Sequence, residues 1–441
     1  MENIVLKNIN EYNLIKSGDK VGVGFSGGSD SVALLFALKN ISKQMGFRVV
    51  AIHINHQIRG EEAMRDQVFA ENFCKQIGVD LVVKSVNAPL FAKQNKYTLE
   101  EGARILRYNC FQSVKKEMGL NSIALAHHLQ DQAETILMHI GRGSGLNGIV
   151  GMTERSGDYI RPLLCVTKAD ILQYIRANGL SFVDDSTNSC VDYTRNFVRK
   201  NVVEPMLSVY PKLCENLYKL SKKVQEENDF LDSLIKRSWI KKVNGGVEIL
   251  DEVASVNNCL KFRVVIKALK TINASVDIEE KHIKMIADLF NKQVGKSVNL
   301  PNGVIAIRKY VGVSIIFEDS IKNIDFKAEF KLGKTKFNDY VISVQQIPKS
   351  EIKFGDGLYI DPDRVPKGAC WRMLEEGDSI LKFDGKNRKL KQFLVDKKVD
   401  STTRNKLPLL MYGSKCLVVY GVEISSMVGV LENSKRVVKI W

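Results

Sequence analysis

The densest chemistry in the chain lies in Val21-Gly-Val-Gly-Phe-Ser-Gly-Gly-Ser-Asp-Ser-Val32. Ser26, Gly27, Gly28, Ser29, Asp30 and Ser31 follow a short apolar run and open helix-favouring sequence. Two adjacent glycines let backbone N–H groups approach an anion, and a new helix N-terminus adds the positive end of its dipole. The hydroxyls of Ser26, Ser29 and Ser31 add donors, so the segment reads as a phosphate or pyrophosphate cradle. A Walker loop needs a lysine directly after its last glycine, and none stands here. Gly22, Gly24 and Gly27 fit the dinucleotide spacing G-x-G-x-x-G, but the first two fall inside a strand. The second strand also ends in His53-Ile-Asn55, where a ribose-binding acid would be expected.

Three further segments carry polar groups in suggestive patterns. In Glu100–Tyr108, Arg104 and Arg107 stand three apart on a helix and share a flank, and Ala103, Leu106 and Cys110 make the apolar stripe. In Ala126–Thr135, His127 and His128 end an apolar run, and Asp131 and Glu134 open the next helix. Paired histidines near an aspartate can hold a metal, but no third ligand cluster accompanies them, and Asp131 equally suits a helix start. The third set is Arg161-Pro-Leu-Leu164, Asp184-Asp-Ser-Thr-Asn188 and Thr194-Arg-Asn-Phe-Val-Arg199. Alone, these residues are ordinary loop and cap material.

The elements that must position these groups alternate. Val21–Phe25, Val49–Asn55, Leu81–Val86 and Ser122–Ala126 read as strands, with helices over Ser31–Met45, Glu61–Ile77 and Leu99–Met118 between them. Gly46, Gly78 and Gly119 close those helices. Such alternation predicts a parallel sheet covered on both faces, with ligands at the carboxyl ends of its strands. Pro211–Ile240 and Lys281–Asn291 favour helix, and 297–299, 304–307 and 313–317 are short strands. Phe326–Val344 reads as a linker into a last strand-rich piece with one basic helical segment. The expected domains are 1–210, 211–325 and 326–441.

The chain has 441 residues and a formal charge of +15, which favours a polyanionic partner. That charge concentrates near the end: between Ser379 and Lys406 nine basic residues face three acidic ones. No long uncharged apolar run and no secretory leader pattern appear, which reads as a cytoplasmic protein with no membrane span. The eight cysteines form no CxxC pair and no zinc spacing, as expected of plain thiols in a reducing compartment.

The SGGSDS loop resembles the PP-loop signature of ATP pyrophosphatases, which cleave ATP between its α- and β-phosphates. The three polar segments resemble the lysidine synthases within that superfamily. The resemblance is dense over about 20–200 and returns at Lys389–Leu394, Arg404–Pro408 and Gly421–Ile424. Over 215–320 it extends only to size and helical character, and Gln130 departs from the acidic or asparagine residue of many members. It implies an α/β fold: a parallel-sheet PP-loop domain (adenine nucleotide alpha hydrolase-like), a mainly helical middle domain and a small mixed α/β C-terminal domain. The implied reaction adenylates C2 of the wobble cytidine in the CAU-anticodon isoleucine tRNA with ATP, and free L-lysine then displaces AMP. Carried over residue by residue, Ser26, Gly27, Gly28, Ser29, Asp30 and Ser31 bind ATP, and Asp30 is also the Mg²⁺-linked carboxylate. Arg107 and Arg199 steady the α-phosphate, while His127 and Glu134 are both candidates to take the lysine proton. Arg104, Asp131 and Asn188 contact substrate, and Lys389, Lys391 and Arg404 hold the tRNA body. A homodimer stays open as an assembly. The alternative is a PP-loop tRNA thiolase, against which the absence of CxxC argues.

Overall fold

The computed structural model describes residues 1–58, 60–183, 194–321, 326–337, 340–353 and 355–441. They form two compact units, Met1–Phe230 and Leu231–Trp441.

The first unit runs α1 (Glu2–Glu11), β1 (Lys20–Gly24), α2 (Ser29–Met45), β2 (Arg48–Asn55), α3 (Glu61–Ile77), β3 (Asp80–Ser85), α4 (Ala88–Asn95), α5 (Leu99–Met118) and β4 (Ser122–Ala124). It continues through α6 (Leu129–Gly141), α7 (Leu146–Ile149), β5 (Arg155–Ser156), β6 (Tyr159–Ile160), α8 (Lys168–Ala177), α9 (Thr194–Val198), α10 (Glu204–Val209) and α11 (Leu213–Ser233). The sheet order is β3-β2-β1-β4-β6-β5, parallel except for β5. Strand neighbours alternate between two cores, because successive side chains point to opposite faces. Val21, Val23 and Ala51 join α1, α2, α3 and α8 on one side, while Val50, Ile52 and Ile123 pack against Phe111 and Val114 of α5 on the other. Gly22 and Gly24 face that second side. A Cβ at Gly22 would come within 2.8 Å of Leu120 and Ile52, and one at Gly24 within 3.0 Å of Phe111. These glycines admit the covering side chains and have no need of a nucleotide. Gly46, Gly78 and Gly119 end α2, α3 and α5 in the left-handed region, as expected.

Between α9 and α10, residues Arg199–Val203 form one wide π turn. Pro205 follows it, and a proline ring clashes with the carbonyl four residues back, which explains the local widening. α11 is fastened by Glu154, a buried carboxylate that accepts from Tyr218 Oη at 2.6 Å and pairs with Lys222 Nζ. The same ammonium sits 4.5 Å from the centre of the Tyr12 ring.

In the second unit, β7 (Ile240–Val243), β8 (Gly246–Leu250), β9 (Ser297–Leu300), β10 (Val304–Lys309) and β11 (Gly312–Phe317) form an antiparallel sheet ordered β7-β8-β11-β10-β9. α12 (Asn258–Thr271) and α13 (Glu280–Asp288) cover it through Val264, Val265, Leu269 and Ile286. Helix outweighs strand over 211–325, as expected, and α12 and the β7–β8 hairpin are additions to the elements read from the sequence. The stretch read as a linker is instead strand. Gly333–Phe337 pairs with Tyr340–Ile347, which pairs in turn with Val437–Ile440. The partner that orders it lies almost a hundred residues away, beyond the reach of local pattern. The basic hairpin Ser379–Leu381/Asn387–Lys389 leads into a helix, Leu390–Asp396, whose Leu390, Phe393 and Leu394 are buried.

Glu154→Ala strands a part-buried ammonium and should cost about 3–5 kcal/mol of stability. Urea unfolding of the variant checks this, and adding Lys222→Met should recover much of the loss. A cost below about 1 kcal/mol would show that the pair adds little.

Candidate active site

β1 and β4 are neighbours, yet the chain reaches β4 only after building β2 and β3 on the other side of β1. Ligands of open parallel sheets bind at such a reversal, outside the carboxyl ends of the strands. Val23 pairs with Ala124, so Ser26 and His127, each three residues further on, leave the sheet at the same level. The phosphate loop and the histidine pair therefore share one crevice.

The loop is held by its own hydroxyls. Ser31 Oγ donates to the Gly28 carbonyl at 2.9 Å and lies 3.1 Å from Ser26 Oγ. Gly27 has φ +89°, and a Cβ there would lie 3.2 Å from Phe69, so glycine is required twice over. His53 Nδ1 lies 3.0 Å from the Phe25 carbonyl and braces the strand end. The first N–H groups of a helix such as α2 have no intrahelical carbonyl partner and, with the dipole's positive end, can receive an anion.

From the loop a chain of charged groups runs through four elements. Lys168, the first residue of α8, donates to Asp30 Oδ1 at 2.5 Å and to Ser29 Oγ at 2.9 Å. Asp30 Oδ2 faces His128 Nε2 at 3.8 Å, and that nitrogen is 3.6 Å from Asp131 Oδ2. His128 Nδ1 accepts from the Gln130 N–H, which places the ring proton on Nε2, between the two carboxylates. Asp131 Oδ2 closes a capping box on the His128 N–H at 2.9 Å, and its Oδ1 meets Arg195 at 3.5 Å and Arg199 at 3.4 Å. Burial raises the Asp131 pKa, but His128 and Arg195 outweigh it and hold the carboxyl below its usual range. The chain ends at Glu134, which has no solvent exposure. Its Oε1 accepts from Arg199 Nε at 2.6 Å and its Oε2 from Arg195 Nε at 2.8 Å. A carboxylate forked by two guanidinium groups is an ionic anchor.

His127 stands beside this chain and not in it. Its Nδ1 is buried and has no hydrogen-bond partner among the described residues. Burial lowers its pKa to about 4; Asp131 opposes the shift, while Arg161, Arg195 and Arg104 reinforce it. His56, past the end of β2, has the same character, lowered to about 4 by burial and then by Arg107. Arg104 lies over the Tyr108 ring at 5.2 Å, and Arg161 Nη1 donates to the Thr153 carbonyl at 2.8 Å. The crevice is thus lined with cations next to two neutral imidazoles.

The structure brings Asp30, Asp131, Glu134 and Arg199 into one charged network with His127 beside it, while Asn188 lies outside the described residues. Lys168, Arg195 and His128 were missed as site residues. Arg195 was visible four positions before Arg199, and Lys168 opens the Thr167–Asp170 capping box just after Arg161–Leu164. In the second unit Lys389 and Lys391 are exposed, but Arg404 is half-buried with its Nε shielded and unpartnered among the described residues. Burial raises the pKa of Cys74, Cys110, Cys165, Cys214 and Cys416, which suits packing and not nucleophilic chemistry.

A parallel sheet with a Ser-Gly-Gly phosphate loop at its reversal point defines a PP-loop ATP-binding domain, and the PP-loop domain family matches residues 1–206. The TilS substrate C-terminal domain family matches residues 372–441. The tRNA(Ile)-lysidine synthase of Clostridioides difficile (strain 630) is 32% identical, covering 99% of this chain and 98% of that protein. That of Caldanaerobacter subterraneus subsp. tengcongensis is 31% identical, covering 99% and 96%. This chain belongs to the tRNA(Ile)-lysidine synthase family, which makes it an ATP-dependent ligase. A solved U34-tRNA thiolase, NcsA from Methanococcus maripaludis, is similar to the chain at 18% identity, covering 51% of this chain and 78% of that one with a TM-score of 0.44, too low to bear on chemistry.

His127 and His56 stay neutral in the folded protein down to about pH 4, whereas an unfolded histidine titrates near 6.5. The unfolded chain takes up protons first, so their contribution is full above about pH 6.5 and is lost as the pH falls towards about 4. Thermal unfolding across that window should show a steeper decline for the wild type than for His127→Asn. Equal slopes would mean that His127 titrates normally in the fold.

Proposed function

We propose that the chain joins L-lysine to C2 of the wobble cytidine in a CAU-anticodon isoleucine tRNA, through an adenylated base. The observation that carries this reading is the meeting of a phosphate cradle, a cationic wall and two neutral imidazoles at one strand-end crevice. ATP lies with its phosphates on Ser26–Ser31. The C2 oxygen attacks the α-phosphate, pyrophosphate leaves, and the lysine amine then displaces AMP from C2.

Mg²⁺ keeps most of its waters and needs few protein ligands beside phosphate oxygens. Asp30 fits that demand, and no described group of three or more His, Cys, Asp or Glu side chains would hold a metal by itself. When bound with ATP, the ion would be held by Asp30 and the phosphates and would neutralise charge there. Arg107 and the cations near His127 stabilise the charge that builds on the α-phosphate.

The second step needs a neutral amine, and only about 0.04% of free lysine ammonium groups are deprotonated at pH 7. A His127 held near pKa 4 is a poor proton sink, and Glu134 is committed to two guanidinium groups. The remaining means is the environment itself. Arg104, Arg161 and Arg195 disfavour the ammonium and so depress the substrate's own pKa. The unfilled Nδ1 of His127 then accepts an N–H of the neutral amine and aims its lone pair.

The exposed, basic C-terminal hairpin binds the tRNA body. The proposed compartment is the cytoplasm; among the described residues no helix is long and apolar enough to cross a membrane. The thiolase reading is disfavoured by the raised cysteine pKa values.

Incubation with ATP, labelled lysine and unmodified CAU-anticodon isoleucine tRNA should place label in the RNA, and unlabelled RNA would reject the reading. In that assay Asp30→Asn should abolish pyrophosphate release. Arg107→Ala should slow modification by about 10²–10³ while tRNA affinity holds. A fall in affinity with an unchanged bound-state rate would make Arg107 a tRNA phosphate contact.

For the hairpin, Lys386, Lys389 and Lys391 are exposed, so the triple alanine variant spares the half-buried Arg404. It should weaken tRNA binding and flatten the slope of log affinity against log salt by about two units. An unchanged slope would reduce the hairpin to a charged surface.

A further inference from the structure

The phosphate loop presents hydroxyls and N–H groups but no cation of its own sequence. Yet the departing pyrophosphate carries more negative charge than neutral donors hold well. The structure supplies the missing cation from elsewhere. Lys168 Nζ donates to Ser29 Oγ and Asp30 Oδ1, so its ammonium sits on the loop itself. An ammonium has three N–H donors, and the loop uses two of those directions.

The base of the side chain is fixed. Lys168 follows Thr167, whose hydroxyl caps the Asp170 N–H at 3.1 Å while Asp170 returns to the Thr167 hydroxyl at 2.6 Å. α8 is tied back to α1 and α2 through Tyr174, which donates to Glu2 and packs 6.1 Å from the Phe36 ring. The flexible part is the four-carbon stem, and its head is half-buried. A rigid backbone with a swinging charged tip suits a group that exchanges one anion for another.

We infer that Lys168 is the pyrophosphate-binding cation of this site, resting on Asp30 when no nucleotide is bound and moving to the β- and γ-phosphates when ATP enters. This rests on the ATP-site reading above. It gives the Asp30–Lys168 pair a purpose beyond neutralisation. The pair keeps the carboxylate and the ammonium in place, and binding of ATP hands each an oppositely charged partner. Lys168 thereby does what the lysine of a Walker loop does, from a helix well over a hundred residues downstream.

Two ligands separate this role from a merely structural one: inorganic pyrophosphate, which the ammonium should hold, and AMP, which lacks the β- and γ-phosphates. Calorimetric titration of the full chain with each, for wild type, Lys168→Met and Lys168→Arg, reads the difference. Lys168→Met should weaken pyrophosphate binding about tenfold or more and AMP binding less than about twofold, with Lys168→Arg regaining most of the loss. In magnesium-free buffer Asp30→Asn should bind pyrophosphate more tightly, because the ammonium then has no rival carboxylate. Unchanged pyrophosphate binding in Lys168→Met overturns the inference, as does an equal loss for AMP and pyrophosphate. A wild type that binds neither AMP nor pyrophosphate rejects the ATP-site reading instead.

Discussion

A carboxylate with no solvent exposure must find positive partners or lose its charge, and Glu134 has two. That requirement organises the crevice. Arg195 in α9 and Arg199 at the start of the π turn are four residues apart and so on one flank, and both reach the same acid. Their attachment docks α9 and the π turn against α6, where the chain returns to the sheet. The remaining guanidinium nitrogens meet Asp131, which caps α6 and faces His128, which faces Asp30 on the phosphate loop. One buried acid therefore fixes a polar network that ends at the nucleotide cradle.

The network would be costly in a core, since each ion gives up its hydration. It is tolerable here because carboxylates alternate with N–H-bearing partners along the chain from Lys168 to Glu134. Alternation also means that a charge arriving at one end is felt at the next member. Phosphates drawing on Lys168 would relieve Asp30 of a partner, and Asp30 is the group that faces His128.

Much of the first unit was legible from residue types. The limits of α3 and α5 follow directly from glycine stops and apolar periodicity, and the crevice follows from strand–helix alternation. The residues brought in from beyond the sheet were harder to see. Lys168 carries no local mark of its role, for its partners Ser29 and Asp30 lie at the other end of the domain. The family resemblance makes Glu134 a candidate base, and sequence alone does not show its burial between two guanidinium groups. The strands at 333–347 escaped for a related reason. The outer partner of Tyr340–Ile347 is Val437–Ile440, about ninety residues further on, and the lysines at 334 and 336 mask the buried Phe337, Ile342 and Val344.

The two halves of the proposed reaction make demands that at first conflict. Adenylation calls for cations, to offset charge building on the α-phosphate, whereas the attacking amine must shed a proton. A single cationic field answers both. Guanidinium groups cannot themselves deprotonate, so Arg104, Arg161 and Arg195 keep their charge at any working pH. The same field that favours a phosphate disfavours an ammonium, and it adds to the burial that keeps the His127 imidazole neutral against the pull of Asp131. In the proposed reaction an amine entering beside it would meet the same burial and repulsion and an unpartnered acceptor in Nδ1, which favour loss of its first proton to solvent; the second proton leaves the nitrogen once the bond to C2 has formed.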